Sequence, residues 1–233
     1  MIRPAGPAPV TALVIGATGL VGRECVRQLA ALGTAHGIAR TIAVVRRVPP
    51  AGTFPPTVEV VALDFAQLEQ ASAELGATDV ACALGTTMKQ AGSREAFRRV
   101  DHDYVLAIAR GALAGGARHF VLVSALGADP GSRIFYNRVK GETEQALLAL
   151  GYRGVTILRP SLLLGPRAEF RLGEAIARRF AWLTPGAYKP VPARDVAAAA
   201  VRALVEDRPG TRIVESRELR RGIHTTTTRT GTP

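Results

Sequence analysis

The stretch Val10-Thr-Ala-Leu-Val-Ile-Gly16-Ala-Thr-Gly19-Leu-Val-Gly22 decides the fold. A short β-rich apolar run ends in three glycines spaced G-x-x-G-x-x-G, and an amphipathic segment follows. Strand, glycine turn and helix in that order make the layout that binds the pyrophosphate of a dinucleotide. Gly16 lets the chain turn tightly off the strand. Gly19, lacking a Cβ, lets a phosphate approach the backbone, and Gly22 lets the new helix pack against the strand. The helix N-terminus then points unpaired N–H groups at the anion. The spacing alone is a weak signal, because glycine turns between a strand and a helix also arise for packing.

Outward from this turn, strands and helices alternate. Residues 11–15, 38–45, 58–63, 80–84, 119–123 and 155–158 read as strands, and residues 20–32, 65–75, 93–114 and 132–150 as helices. Residues 46–56 form a loop marked by Pro49-Pro50 and Pro55-Pro56. Strands that are apolar throughout, separated by helices, imply a parallel sheet covered on both faces. Right-handed crossovers make it a doubly wound, Rossmann-like α/β fold with its ligand at the carboxyl ends of the strands. Beyond Pro160 the pattern loosens into a small substrate-side elaboration over about 160–221. It holds a helix at 168–180, a helix capped by Asp195 and running to about Glu206, and a short strand at 212–215. The Thr-rich residues 222–233 are expected to be disordered, and residues 1–9, rich in Pro, Gly and Ala, to be flexible.

A chain of 233 residues suits one α/β domain, and 47% hydrophobic residues supply its core. Aromatics are scarce, so Ala, Val and Leu must build that core. The formal charge is +11, carried almost wholly by arginine, since lysine occurs only at 89, 140 and 189. These arginines are spread along the chain without a dense run or interleaved aromatics, which argues for a solvated basic surface over a nucleic-acid site. Cys25 and Cys82 lie in apolar segments and read as small buried hydrophobes in a reducing compartment. The four histidines lack metal-ligand spacing, so no metal is expected. No apolar run approaches the ~20 residues of a membrane span, and no cleavable leader is visible. The expected location is therefore the cytoplasm.

A second signal is Tyr136-Asn-Arg-Val-Lys140. Residues four apart share a helix face, so the spacing sets a phenol beside an ammonium. A free tyrosine titrates near ~10 and is a poor base, whereas an adjacent Lys⁺ favours the phenolate. Tyr136 can then give or take a proton while hydride moves at a C–O centre. Such a spacing is ordinarily no more than a surface pair. Here it follows a dinucleotide turn and a strand ending in Ser124, whose hydroxyl at a carboxyl end faces the ligand crevice and can orient a substrate oxygen.

Several further stretches carry a family likeness. They are Cys82-Ala-Leu-Gly-Thr-Thr87, Val100-Asp-His-Asp-Tyr-Val105, Arg118-His-Phe-Val-Leu-Val-Ser124, Gly127-Ala-Asp129 and Tyr136-Asn-Arg-Val-Lys-Gly-Glu142. With the glycine turn they resemble the short-chain dehydrogenase/reductase superfamily in its extended or atypical branch, close to the atypical reductases related to human Tat-interacting protein. The resemblance spans roughly 12–213. It implies one NAD(P)-binding Rossmann domain over 10–221, NADP(H) as cofactor in preference to NAD(H), and catalysis by Tyr136, Lys140 and Ser124. Gly16, Thr18, Gly19, Leu20, Val21 and Gly22 match the pyrophosphate loop, and Arg46 and Arg47 match the basic residues that hold an adenosine 2′-phosphate. The chemistry agrees: no carboxylate ends the second strand to accept a ribose 2′-OH, while two guanidiniums suit a phosphate dianion. The resemblance sets Asp64 at the adenine, and Leu84, Gly85 and Thr86 on the cofactor's ribose side. Tyr136 and Lys140 then touch the nicotinamide ribose, Pro160 and Leu163 pack beside the nicotinamide, and Arg171 gives a basic contact.

Two departures stand out. Many superfamily members carry two consecutive serines where this chain has Ser124-Ala125, and many extended members carry Asn where it has Asp101, which reads as a residue of helix structure. The leading expectation is an NADP(H)-dependent oxidoreductase acting on a small carbonyl or alcohol. The competing ones are a non-catalytic NADPH-sensing binding or scaffold protein and a nucleoside-diphosphate-sugar epimerase or dehydratase. The expected partners are the small-molecule substrate and a second copy or another protein, with nucleic acid disfavoured.

Overall fold

Strand β1 (Val10–Ile15) lies inside a seven-stranded sheet, and its alternate side chains feed two opposite cores. Ala12 and Val14 face one core, and Leu13 and Ile15 face the other. The computed structural model describes residues 9–65, 67–164 and 189–221. In chain order after β1 come α1 (Leu20–Leu32), β2 (Ile38–Val45), β3 (Glu59–Ala62), α2 (Leu68–Glu74), β4 (Asp79–Cys82), α3 (Met88–Ala91) and α4 (Arg94–Arg98). A π-helical turn (Arg99–Asp103) leads into α5 (Tyr104–Ala114), then β5 (His119–Val123), α6 (Phe135–Leu148), β6 (Gly154–Arg159) and β7 (Leu163–Leu164). Then follow β8 (Val191–Pro192), α7 (Ala193–Glu206), β9 (Gly210–Glu215) and α8 (Ser216–Arg220).

The sheet order is β3-β2-β1-β4-β5-β6-β9, and every neighbouring pair is parallel. The order in which strands are added to the sheet reverses between β1 and β4, which opens a crevice at their carboxyl ends. Helices α1 and α7 cover one face through Val26, Leu29, Val196, Ala200 and Leu204. The other face is covered by α2, α5 and α6, with Ile108 and Leu147 packed on Phe120 and Ile157. The doubly wound Rossmann-like fold expected from the alternation is the fold found.

Three local expectations are corrected. The helix expected over 93–114 is broken: Ser93 caps α4 by accepting from the Ala96 N–H, and the π-helical turn then inserts one residue before α5. Helix α6 starts at Phe135 rather than 132 because Asp129 folds the preceding residues into a turn, accepting from the Gly131 and Ser132 N–H groups. Asp195 does not cap its helix; α7 begins at Ala193 after Pro192, and Asp195 lies in the first turn. The short C-terminal strand expected at 212–215 spans Gly210–Glu215 and joins the main sheet beside β6. The helix expected at 168–180 lies outside the described residues.

At the amino ends of β4 and β5, Asp79, His119 and Asp207 bring one ligand-capable atom each within 4.8 Å of one another. Arg118 already lies 3.6 Å from Asp79, and Arg153 lies 2.7 Å from Asp207, so the two carboxylates bring their own counter-charges. Burial holds the His119 imidazole below its usual range.

Candidate cofactor and active site

The crevice begins at the glycine turn. Gly16 takes φ +74° and presses on the end of β4, where a Cβ would meet the Ala83 carbonyl oxygen at 2.6 Å. Its own carbonyl accepts from the Gly19 N–H at 2.8 Å and closes the turn. A Cβ on Gly22 would stand 2.2 Å from the Gly16 carbonyl oxygen, so only glycine lets α1 start this close to β1. Gly19 caps α1 without a side-chain hydrogen bond, and the first turn of α1 carries no acidic residue. The turn therefore presents backbone N–H groups and a helix N-terminus with no fixed anion in the first turn, which fits a pyrophosphate. Thr18 is exposed, Leu20 half-buried and Val21 buried at this turn. We expect Gly22→Ala to cost about 2 kcal/mol, roughly 5 °C in the melting midpoint of a chain this long. Scanning calorimetry checks this, and an unchanged midpoint would show the junction to be loose.

Beside the turn, Arg46 and Arg47 are both exposed directly after β2, with the Arg46 guanidinium 6.0 Å from the Phe65 ring centroid. Asp64 is exposed in the loop after β3, next to Phe65. Leu84, Gly85 and Thr86 follow β4 on the far side of the turn, Gly85 being exposed. Pro160 is buried after β6, and its carbonyl accepts from the Leu126 N–H at 2.9 Å. Leu163 lies in β7, paired with Val191. Arg171 lies outside the described residues.

Helix α6 carries the Tyr136/Lys140 face. Tyr136 is half-buried, its ring 5.4 Å from that of the fully buried Phe97. Lys140 is buried, and its Nζ lies 2.6 Å from Oδ1 of Asp101, whose side chain has no exposure. Burial on its own pushes this ammonium below the ordinary lysine value. The carboxylate of Asp101, with a smaller contribution from Tyr136, outweighs burial and raises Lys140 above the ordinary lysine value. The stabilisation from this pair is thus complete at neutral pH and is lost only as pH rises through that raised value.

Ser124 is buried, and its hydroxyl donates to Oε1 of Glu144, which is also buried. Glu144 stands four residues beyond Lys140 on α6 and binds Arg159 Nη2 at 2.5 Å, while Arg159 Nη1 reaches Glu215 on β9 at 3.1 Å. The described members of the expected set thus lie at one end of the sheet, but the Ser124 hydroxyl points its proton at Glu144. Glu144 is the residue that reading the sequence missed, and Asp101, read there as a residue of helix structure, is the buried partner of Lys140. The signal for Glu144 was its i+4 spacing from Lys140. Both cysteines are buried, with their thiols pushed up to about 12 at Cys25 and about 11 at Cys82, which fits packing residues.

A parallel doubly wound sheet with a glycine turn at its switch point defines a Rossmann-type nucleotide-binding protein. The chain belongs to the NAD(P)H-binding family, which matches residues 16–207, and the atypical short-chain dehydrogenase/reductase architecture fits it. It is 39% identical to the protein HTATIP2 of Rattus norvegicus over 166 residues, covering 70% of this chain and 67% of that one. It is 36% identical to the mitochondrial protein FMP52 of Eremothecium gossypii over 222 residues, covering 90% of this chain and 96% of that one. Among solved structures, MoeE5 in complex with UDP-glucose and NAD superposes with a TM-score of 0.64 at 17% identity, covering 90% of this chain and 79% of that one. The UDP-N-acetylglucosamine 4-epimerase of Bacillus cereus gives a TM-score of 0.66 at 17% identity, covering 88% and 78%. At that identity the likeness is one of fold. The cytoplasmic expectation is corrected by the FMP52 relatives, which are named mitochondrial. Among the described residues no helix is long and apolar enough to cross a membrane.

Proposed function

We propose that this protein is an NADP(H)-dependent oxidoreductase that interconverts a small carbonyl compound and its alcohol, with Tyr136 as acid/base and Lys140 as its charged partner. The observation that carries the reading is the Tyr136/Lys140 face of α6, with its buried ammonium, at the same end of the sheet as the glycine turn. A bound nicotinamide supplies the hydride. Tyr136 gives the proton to the substrate oxygen and is left as phenolate, which the Lys140 ammonium stabilises until solvent reprotonates it. In the oxidative direction Tyr136 takes that proton back. Consumption of NADPH across a panel of aldehydes and ketones tests the reading, and no turnover with any of them counts against it.

Arg46 and Arg47 support the preference for NADP(H), because two exposed guanidiniums can clasp a 2′-phosphate and no carboxylate ends β2. Replacing both by alanine is expected to weaken NADPH tenfold or more, about 1.4 kcal/mol, while leaving NADH unchanged. Calorimetric titration with each cofactor measures it, and equal loss for both would remove the arginines from the phosphate.

A second reading is a non-catalytic NADPH-sensing protein. It is favoured by the commitment of the Ser124 hydroxyl to Glu144 and by Ala125 in the following position.

A further inference from the structure

We propose that Asp79, His119 and Asp207 bind a divalent first-row transition-metal ion, such as zinc, at the amino ends of β4 and β5, the end of the sheet opposite the crevice. Such a site depends on neither Tyr136 nor Lys140.

Asp79 and His119 stand in register across β4 and β5, and His119 and Gly154 across β5 and β6. All three therefore point to one face of the sheet. Ala81 and Val121, two residues further along the strands, pack in the core under α7, and Asp207 caps the carboxyl end of that helix. Bare backbone at Gly154 lets His119 turn its Cδ2 edge toward β6: a Cβ there would stand 3.2 Å from Cδ2. On that side of the ring Nε2 pairs with the Thr156 hydroxyl at 3.0 Å. Nδ1 lies on the other side, toward Asp79, and has no hydrogen-bond partner. Asp79 repeats the pattern. Its Oδ2 accepts from the Thr78 hydroxyl at 2.5 Å, and its Oδ1 has no partner. The Asp79 side chain has no exposure and His119 is 2% exposed, so bulk water does not satisfy either atom. The tautomer that donates Nε2–H to Thr156 leaves Nδ1 as a bare lone pair. Two buried acceptors then face one space without a donor, an arrangement that a cation between them resolves.

One imidazole nitrogen and two carboxylates, with water completing the shell, are a donor set for a divalent first-row transition ion. Each ligand has an outer partner that orients it: Thr156 on Nε2 of His119, Thr78 on Oδ2 of Asp79, and Arg153 Nη1 at 2.7 Å from Oδ1 of Asp207. The three ligand atoms lie within 4.8 Å of one another. A tetrahedral zinc ion with bonds of about 2.0–2.1 Å would draw them to about 3.3 Å. Arg118 Nη2 approaches Oδ2 of Asp79, not Oδ1, and at 3.6 Å it is beyond hydrogen-bond distance. The ion binds against two guanidinium charges, which makes for moderate affinity. Positions 79, 119 and 207 have no spacing that announces a site; the sheet register and the end of α7 assemble it.

Calorimetric titration of chelator-stripped protein with zinc chloride tests the site. One ion per chain should bind, and zinc at about a hundredfold excess over its Kd should raise the melting midpoint by about 5 °C. His119→Gln keeps an amide end for the Thr156 hydroxyl and offers nothing at Nδ1. Asp207→Asn keeps an oxygen for Arg153 and suits the left-handed backbone there, at φ 41°, while removing one charge from the site. Each variant should bind zinc tenfold or more weakly. No saturable binding by the wild type, or equal binding by the wild type and either variant, overturns the proposal. Should His119→Gln not fold, Asp207→Asn decides by itself. The titration uses neither cofactor nor substrate, so failure of the Tyr136 reading would leave its outcome untouched.

Discussion

Tyr136→Phe should lower turnover of any accepted carbonyl by roughly 10²- to 10⁴-fold, the range that a positioned general acid contributes. NADPH affinity should fall far less than turnover, because the substitution removes one oxygen from a half-buried ring that keeps its packing on Phe97 and leaves the Lys140 contact to the ribose in place. Loss of rate far beyond the loss of binding is the signature of an interaction made in the transition state. Steady-state kinetics with a cofactor titration on both proteins separates the two quantities. Equal turnover in wild type and variant would remove Tyr136 from the chemistry and favour the NADPH-sensing reading.

Glu144→Ala should produce the largest loss of stability. Glu144 is buried and gathers Ser124 from the end of β5 and Arg159 from the end of β6, and Arg159 in turn holds Glu215 at the end of β9. Truncation leaves the guanidinium, with 23% of its side chain exposed, to Glu215 and solvent, and it removes the acceptor of the Ser124 hydroxyl. Breaking such a buried pair from one side costs about 3 kcal/mol, or roughly 10 °C in the melting midpoint. Glu144→Gln keeps the volume and an acceptor for Ser124, so it should lose distinctly less. Thermal melts of the two variants beside the wild type check this, and a Glu144→Ala protein that melts with the wild type would show the network to be ornamental. The same substitution frees the Ser124 hydroxyl, so any gain in turnover in Glu144→Ala would identify that bond as a restraint on the active site.

The parts of the fold that local pattern dictates were legible. The apolar run into Gly16-x-x-Gly19-x-x-Gly22 announces β1, its turn and α1, since both the unbroken apolar run of the strand and the missing Cβ atoms are local facts. The Tyr136/Lys140 face was legible because i+4 spacing is a property of the helix alone. What pairs with that face was not. The π-helical turn at Arg99–Asp103 leaves the apolar spacing of 93–114 looking like one helix, yet it is what delivers Asp101 to Lys140 from 39 residues away. Ser124 illustrates the same limit. Its place at a strand end was readable, but the direction of its hydroxyl depends on Glu144, on another element. The strand at Gly210–Glu215 looked like part of a peripheral elaboration, because a pairing with β6 across more than 50 residues has no local signature.

The most direct test of the account is calorimetric titration of the wild-type protein with NADPH and, separately, NADH. The account predicts saturable binding of NADPH at one site per chain, tighter than NADH by tenfold or more. Binding of neither cofactor would contradict it.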